Sequence, residues 1–383
     1  MKKRNIIFTF ITIILIFLIC AMFAEFSFRA YESYSKQSTL KLFIERPNDK
    51  GSYQLIQNQK LSTQISKQEI KININSHGMH WREVDIPKKT GVERIAFVGD
   101  SHAFGCWADC VEHSFVGIFD SAIASPQIEV LNFGVGGYGI DDIELHIRQF
   151  VLEFSPDYVI LMFSNGNDIR DTYLGLNKYD VSSGQAIFNK NNLIAKLPQK
   201  LINPKYLDRS IRKKIISILR ENSAAIRFLQ KYIASRSIPE SFADLHSLNV
   251  SPYFTSYSYW SQFPYSDLAI EATNQTIAKL EKINQILSAN DSELIIATIP
   301  YPEQIYCRKK KGKSYDINLP QRFIKEFAVR NNVPYLDLLP VLRQQAEQSN
   351  SRLLVSGDPH FNNLGHTIIG EALADFYMNN IIH

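Results

Sequence analysis

The sequence predicts an α/β fold built on a parallel sheet of about five strands, with helices between the strands. Two observations predict it. Short apolar runs recur between Val92 and the C-terminus, and amphipathic helical patterns lie between them. Several of these runs are almost continuously apolar, which is typical of strands that helices cover on both faces. We therefore expect right-handed crossovers and a cleft at the carboxyl ends of the strands.

The predicted elements follow in order along the chain. The runs that we interpret as strands are RIAFV, IEVLNF, YVILMF, ELIIAT and PYLDLL, at 94–98, 128–133, 158–163, 293–298 and 334–339. Helical patterns lie at about 101–124, 141–154, 266–287, 321–331 and 364–378. IKININ, at 70–75, alternates apolar and polar residues and predicts a half-buried strand. The interval from about 169 to 265 interrupts the alternation, and we interpret it as a helical insertion.

The N-terminus carries an apolar segment that is typical of a membrane anchor. Three basic residues at 2–4 precede it, and no charged residue occurs from Ile6 through Ala24. A helix over this segment would be about 28 Å long, close to the thickness of a bilayer's hydrocarbon core. A cleaved signal peptide is the alternative, but its apolar core is usually shorter, and Met22 spoils the cleavage site that would end at Ala24.

These features predict the domain organisation and the location of the protein. We expect a single-pass anchor at 1–24 that contacts the inner membrane through residues 6–24. The basic residues before it predict a cytoplasmic N-terminus and a periplasmic or extracellular body. A stalk and irregular lead-in would cover 25–69, and the main folded domain, with its insertion, would cover 70–383.

Composition excludes some classes of function and suggests a redox environment. The chain has 45% apolar and 21% charged residues, as in globular proteins. A net charge of +4 and the lack of a dense basic stripe with interleaved aromatics argue against a nucleic-acid partner.

An exported body favours disulfides, so Cys106 and Cys110 in GCWADC are a candidate pair, with two unpaired thiols as the alternative. The basic run CRKKKGK, at 307–313, is a solvated loop or a patch for an anionic glycan or lipid headgroup.

Polar residues follow the predicted strands at the edge where ligands bind in such sheets. They are Ser101 after the first strand, a glycine-rich turn at 134–139 after the second, Asn165, Asn167 and Asp168 after the third, and Asp358, His360 and His366 beyond the last. Acyl transfer through a serine needs a base with a pKa near the working pH, a carboxylate to orient that base, and donors for the oxyanion. These residue types can supply each part, with no metal or cofactor. His366 follows Gly365 and is interpreted as a helix-start or supporting residue.

Four short segments, in this order, resemble the four sequence blocks of the GDSL/SGNH hydrolases: GDSH at 99–102, the glycine turn, NGND at 165–168 and DPH at 358–360. The lead-in from 74 to 105 is similar to that of membrane-anchored bacterial members. The resemblance implies a flavodoxin-like three-layer α/β/α sandwich. It also implies that Ser101 is the nucleophile, His360 the base and Asp358 its carboxylate, while the backbone N–H groups of Ser101 and Gly137 and the side chain of Asn167 form the oxyanion hole.

The sequence departs from this family pattern in two places. Asn165 stands where the third block usually starts with glycine. Only Pro359 separates Asp358 from His360, where the family commonly has two intervening residues. The resemblance implies a serine esterase that removes O-acyl groups, such as acetyl, from a cell-envelope glycan or lipid. An O-acyltransferase with the same triad and a non-catalytic envelope scaffold or glycan-binding protein remain as alternatives, and the oligomeric state stays open.

Overall fold

The computed structural model describes residues 12, 16, 19–30, 43–45, 53–65, 68–174, 178–180, 185–187, 223, 225, 264–265, 267–306, 316–348, 352–355 and 358–381. The chain divides into two units, Met1–Leu40 with Ile194–Ile238, and Lys41–Leu193 with Pro239–His383. In the first unit, residues 19–30 are helical. The carboxylate of Glu25 there accepts hydrogen bonds from the hydroxyl of Ser223 (2.7 Å) and the backbone N–H of Ala225 (3.2 Å).

The predicted anchor and insertion fall largely outside the described residues. Of the segment 6–24, the structure describes residues 12, 16 and 19–24, and of the insertion at about 169–265 it describes short pieces. Within the described part of the chain, no helix is both long enough and apolar enough to cross a membrane.

The strands belong to the second unit. They are β1 (Phe43–Glu45), β2 (Tyr53–Leu55), β3 (Gln59–Ile65), β4 (Gln68–Ile74), β5 (Glu93–Gly99), β6 (Ile128–Asn132), β7 (Tyr158–Ser164), β8 (Lys178–Asp180), β9 (Gln185–Ile187), β10 (Glu293–Ile299) and β11 (Tyr335–Asp337). The described residues form one five-stranded sheet, in the order β11-β10-β7-β5-β6, and all its neighbouring strands are parallel. Numbered along the chain, this order is 2-1-3-4-5, as in flavodoxin-like folds. The predicted parallel sheet of about five strands is confirmed.

The helices connect and cover these strands. They are α1 (Ser101–Phe104), α2 (Phe115–Ile123), α3 (Ile140–Gln149), α4 (Asp168–Leu174), α5 (Asp267–Ser288), α6 (Pro302–Tyr306), α7 (Leu319–Arg330), α8 (Leu339–Gln348) and α9 (Asn363–Asn380), with short 3-10 helices at Val111–His113 and Val151–Phe154. Helix α2 packs against α9, while α3 and α7 both pack against α5. The crossovers from β5 to β6 and from β6 to β7 run in opposite directions, so right-handed connections place α2 and α3 on opposite faces.

Apolar side chains on both faces explain why the central strands form the core. In β5, β7 and β10, every residue after the first is buried. Strands that are covered on both sides cannot alternate with polar residues without burying unpaired polar groups. The near-continuous apolar runs in the sequence therefore correspond to the middle of the sheet.

Regular structure begins before residue 70, where the sequence interpretation placed the start of the main domain. Residues expected to be an irregular lead-in form β2 and the antiparallel hairpin of β3 with β4. Tyr53 and Leu55 of β2 are buried. The rings of Tyr53 and Tyr138 meet edge to face at 5.3 Å, so a three-residue strand is held by contacts with the glycine turn. Three residues are too few for alternation to be recognised in the sequence.

Candidate active site

The nucleophile candidate lies where β5 ends and a one-turn helix begins. Asp100 caps helix α1, because its Oδ1 accepts the backbone N–H of His102 at 2.9 Å. The helix ends at Gly105, whose φ of 86° is left-handed. Ser101 is the first residue of this helix, where a backbone N–H has no intrahelical partner. The local fold therefore presents a serine hydroxyl and an N–H donor together.

Ser101 is hydrogen-bonded to a histidine that a carboxylate orients. Its Oγ lies 2.7 Å from Nε2 of His360. Nδ1 of His360 lies 2.5 Å from Oδ1 of Asp358, and the same oxygen accepts the backbone N–H of His360 at 2.9 Å. A single turn thus brings carboxylate and imidazole together across one intervening residue, and the short spacing does not prevent their contact. The structure brings the three predicted catalytic residues together.

Charge and burial around the triad favour an ionised carboxylate. Burial raises the pKa of Asp358, but the side chain and backbone of His360 and the indole of Trp107 donate hydrogen bonds that outweigh it, so the pKa lies below its usual range. The ring of His102 packs 4.9 Å from the ring of His360. Burial, followed by repulsion from His360, lowers the pKa of His102 well below its usual value, so His102 stays neutral beside the base.

The glycine turn after β6 lies directly against the nucleophile helix. The N–H of Val135 donates to the carbonyl of Gly99 at 3.1 Å. A Cβ on Gly134 would lie 2.2 Å from the backbone nitrogen of Phe104, so only glycine allows this approach. Gly137 has a φ of 81°, which also favours glycine. Tyr53, which the sequence interpretation placed in the stalk, donates its hydroxyl to the carbonyl of Gly136 at 2.7 Å.

The structure brings Asn167 to the nucleophile loop, but its amide faces carboxylates. Nδ2 donates to Oδ2 of Asp100 at 3.1 Å and to Oδ2 of Asp171 at 3.4 Å. The family resemblance implies that this amide contacts the oxyanion. In this structure it ties the loop after β7 to the cap of α1, so its role as an oxyanion donor requires the amide to turn toward the substrate.

Three buried carboxyl groups lie behind this loop, and the sequence interpretation did not group them. Burial raises the pKa of Asp100, of Asp171 and, most strongly, of Asp168. Arg170 compensates part of the charge, with Nε 2.7 Å from Asp171. Asp168 accepts the backbone N–H of Ser164 at 2.7 Å. Among the residues that the structure describes, no group of three or more His, Cys, Asp or Glu is arranged to hold a metal ion.

The predicted disulfide is absent, since Cys106 and Cys110 are both free thiols. The thiol of Cys110 is hydrogen-bonded to the carboxylate of Glu112. Burial raises the pKa of Cys106 to about 12, so this thiol stays protonated and unreactive. The structure therefore contains two unpaired thiols, which was the alternative that the sequence left open. Cys307 lies outside the described residues.

His366 supports the nucleophile loop from the start of α9. Its Nδ1 accepts the N–H of Phe115 at 3.3 Å, and its Nε2 donates to the carbonyl of Cys106 at 3.1 Å. Burial lowers its pKa to about 4, so the ring is neutral, and both of its nitrogens are already bonded. His366 is therefore not placed to act as the base.

No family model matches the chain, and no curated protein matches it. Among solved structures, an acetyl xylan esterase is 15% identical with a TM-score of 0.41, and the match covers 76% of this chain and 100% of the other. A protein assigned to the G-D-S-L family of lipolytic proteins, from Desulfitobacterium hafniense DCB-2, is 14% identical with a TM-score of 0.37, over 74% of this chain and 98% of the other. An acetylxylan esterase from Geobacillus stearothermophilus is 14% identical with a TM-score of 0.38, over 77% of this chain and 97% of the other. Identities and TM-scores this low carry no information about activity.

Proposed function

We propose that the protein is a serine esterase that cleaves O-acyl esters through an acyl-enzyme on Ser101. The observation that carries the proposal is the continuous hydrogen-bonded chain from Oγ of Ser101 through His360 to Asp358. A serine hydroxyl becomes an effective nucleophile only when a base is placed to take its proton. In this chain the base is within 2.7 Å and its far side is held by a carboxylate.

The geometry suggests the following steps. Oγ of Ser101 attacks the carbonyl carbon of the ester, and Nε2 of His360 takes the hydroxyl proton. The carbonyl electron pair moves onto oxygen, and the backbone N–H groups of Ser101 and Gly137 are the donors that we assign to the oxyanion, with Asn167 as the third. When the C–O bond to the alcohol breaks, the alcohol oxygen takes the proton from His360. Water then attacks the acyl-enzyme in the same way and releases the acid.

The substrate that we propose is an O-acyl group, such as acetyl, on a glycan or lipid of the cell envelope. Support comes from the apolar segment at 6–24, which we propose anchors the chain in the inner membrane with the catalytic domain outside. An acyltransferase would use the same acyl-enzyme with a sugar hydroxyl in place of water. Nothing in the described residues favours the transferase, so hydrolysis is the function proposed.

An active-site probe tests the proposal. We expect a fluorophosphonate to label the wild-type protein and not Ser101→Ala, and we expect hydrolysis of p-nitrophenyl acetate to fall at least about 10³-fold in that variant. Ser121→Ala, an exposed position on α2, is the matched control and should be labelled like wild type. Wild-type protein that is folded by circular dichroism yet takes no label would contradict the esterase and favour the scaffold. Acyl transfer to a glycan acceptor without release of free acid would indicate the transferase.

Protease accessibility tests the proposed location. In cells that carry the full chain, we expect added protease to digest the catalytic domain once the outer membrane is permeabilised and the inner membrane is intact. A cytoplasmic marker protein should survive the same treatment. Digestion that occurs only after the inner membrane is opened would overturn the proposed topology.

A further inference from the structure

A cavity whose lining residues are mainly polar or charged lies on the same edge of the sheet as the candidate catalytic residues. It has a volume of about 390 Å³, within the range of ligand sites. It is formed where α7 begins, where β11 ends and where α8 begins, and its lining includes Gln321, Arg322, Lys325, Tyr335, Asp337 and Arg343. The triad and the glycine turn do not contribute to it, so it is a separate site.

The strand register gives its position relative to Ser101. Gly99 of β5 pairs with Met162, Met162 with Ala297, and Ala297 with Leu336 of β11, so these residues form one row across the sheet. Ser101 and Asp337 come just after this row in their own segments of the chain, so both lie at the carboxyl edge of the sheet. Three inter-strand spacings separate their strands, which amounts to about 14 Å. A ligand that filled both places would be extended along the edge of the sheet.

The cavity has an excess of positive charge. Its lining contains Arg322, Lys325 and Arg343 and one carboxylate, that of Asp337. Arg322 is also ion-paired with Asp316, which lies outside the lining, so the cations still outnumber the carboxylates by three to two. The carboxylate of Asp337 is already engaged, because its Oδ1 accepts the backbone N–H of Leu339 at 3.0 Å at the start of α8. Helices α7 and α8 both begin at the cavity, and the start of a helix carries partial positive charge from its unpaired N–H groups.

A buried amide at the cavity lacks a hydrogen-bond acceptor. Gln321 is 4% exposed, and its Oε1 accepts a hydrogen bond from Nε2 of Gln304 at 2.7 Å. Its own Nε2 has no partner in the described part of the chain. An unpaired buried donor is unfavourable, but this nitrogen is occluded in the structure, so the oxygen of a bound anion would reach it only when the amide turns toward the cavity. The unpaired amide N–H of Gln321 and the cationic side chains would therefore both bind an anion.

We propose that this cavity binds a carboxylate or phosphate group of the substrate, so that the ester cleaved at Ser101 is carried by an anionic polysaccharide. The inference rests on the esterase function proposed above. The sequence adds support, since five of the seven residues in CRKKKGK, at 307–313, are basic and lie just ahead of α7. Basic residues attract an anionic polymer through long-range electrostatics.

Kinetics with charged and neutral substrates test the inference. We expect Arg322→Gln/Lys325→Gln to raise KM for acetylated polygalacturonate about fivefold or more at low salt, with kcat unchanged. Hydrolysis of acetylated xylan and of p-nitrophenyl acetate should stay within about twofold of wild type, and added salt should remove the difference in KM. Arg330→Gln, an exposed position in the last turn of the same helix, is the matched control and should behave like wild type.

Binding without turnover separates this inference from the proposed activity. Protein carrying Ser101→Ala is titrated with polygalacturonate oligomers and with inorganic phosphate. If either probe binds and the Arg322→Gln/Lys325→Gln change weakens that binding, the anion site is supported. This holds even if the wild-type protein hydrolyses no ester. The anion site would be overturned if neither probe binds and the KM for the acidic polymer is equal in wild type and double variant. Esterase activity in the same experiment would still support the proposed function.

Discussion

The acid and the base of the candidate triad are organised within three residues. The backbone N–H and the imidazole of His360 both contact one oxygen of Asp358. This arrangement fixes the ring orientation by local geometry, so the pair does not depend on a distant element for its alignment. Both residues could be identified from the sequence by the resemblance of DPH to a family block, since a spacing of two lets both side chains point into one site. Their distance to Ser101 depends on the fold.

Trp107 is a positioning residue that the sequence analysis did not single out. Its φ is 71°, a left-handed conformation that a bulky residue rarely adopts. Backbone strain of this kind persists where the surroundings require it, often beside functional groups. The indole of Trp107 donates a hydrogen bond to Asp358. We infer that the GCWADC loop holds the ionised carboxylate through this donor.

Replacing Trp107 by phenylalanine should change the pH profile of the enzyme. The ring stays and the donor is lost, so the negative charge of the Asp358–His360 pair is less stabilised and the pair takes a proton more easily. We expect the acidic limb of kcat/KM to move to higher pH. At neutral pH, kcat/KM should fall about tenfold, as expected for a hydrogen bond to a charged group.

Trp81→Phe is the matched control, because Trp81 is buried and its indole nitrogen has no hydrogen-bond partner among the described residues. Its pH profile should match that of wild type. A Trp107→Phe enzyme with lower stability but an unshifted acidic limb would show that Trp107 only packs the loop.

At the scale of elements, the contact between α1 and the glycine turn sets the geometry around Ser101. The turn is tied to the end of β5 by the N–H of Val135, which donates to the carbonyl of Gly99, and β2 braces its far side through Tyr53. The predicted glycine turn could be identified from composition. The contact with β2 could not, because it joins residues more than eighty positions apart, through the hydroxyls and rings of Tyr53 and Tyr138.

Gly134→Ala should displace the nucleophile helix. The new Cβ would lie 2.2 Å from the nitrogen of Phe104 and 2.3 Å from the carbonyl carbon of Ala103, and backbone atoms cannot move aside cheaply. We expect a loss of about 2–4 kcal/mol in the free energy of unfolding, measured in urea, and loss of most esterase activity.

Gly91→Ala is the matched control for this substitution. Gly91 also has a left-handed φ, 76°, but a Cβ there meets no atom within 4 Å. It should cost about 1–2 kcal/mol from backbone strain and leave kcat/KM near the wild-type value. A Gly134→Ala protein as active as Gly91→Ala would show that the close approach of turn and helix is not needed.

At the scale of the whole molecule, the sequence predicted what depends on pattern and missed what depends on distant contacts. Buried parallel strands such as β7 have near-continuous apolar sequences, so the sheet and its carboxyl edge could be predicted. The alternatives for Cys106 and Cys110 could not be decided, because the outcome depends on the position of Glu112 and on burial. The amide of Asn167 was assigned to the oxyanion by resemblance, and one of its two carboxylate partners, Asp100, lies 67 residues earlier in the chain, while the other, Asp171, lies in helix α4.

The base lies 259 residues after the nucleophile, directly before the last helix of the domain. A chain made from its N-terminus therefore exposes Ser101, the glycine turn and Asn167 long before His360 exists. On the proposed mechanism, a nascent chain whose central strands have already paired still lacks the base that activates the nucleophile. We expect hydrolysis to begin only when α9 docks on α2 and brings His360 to the sheet edge, so that the onset of activity would report the completion of folding.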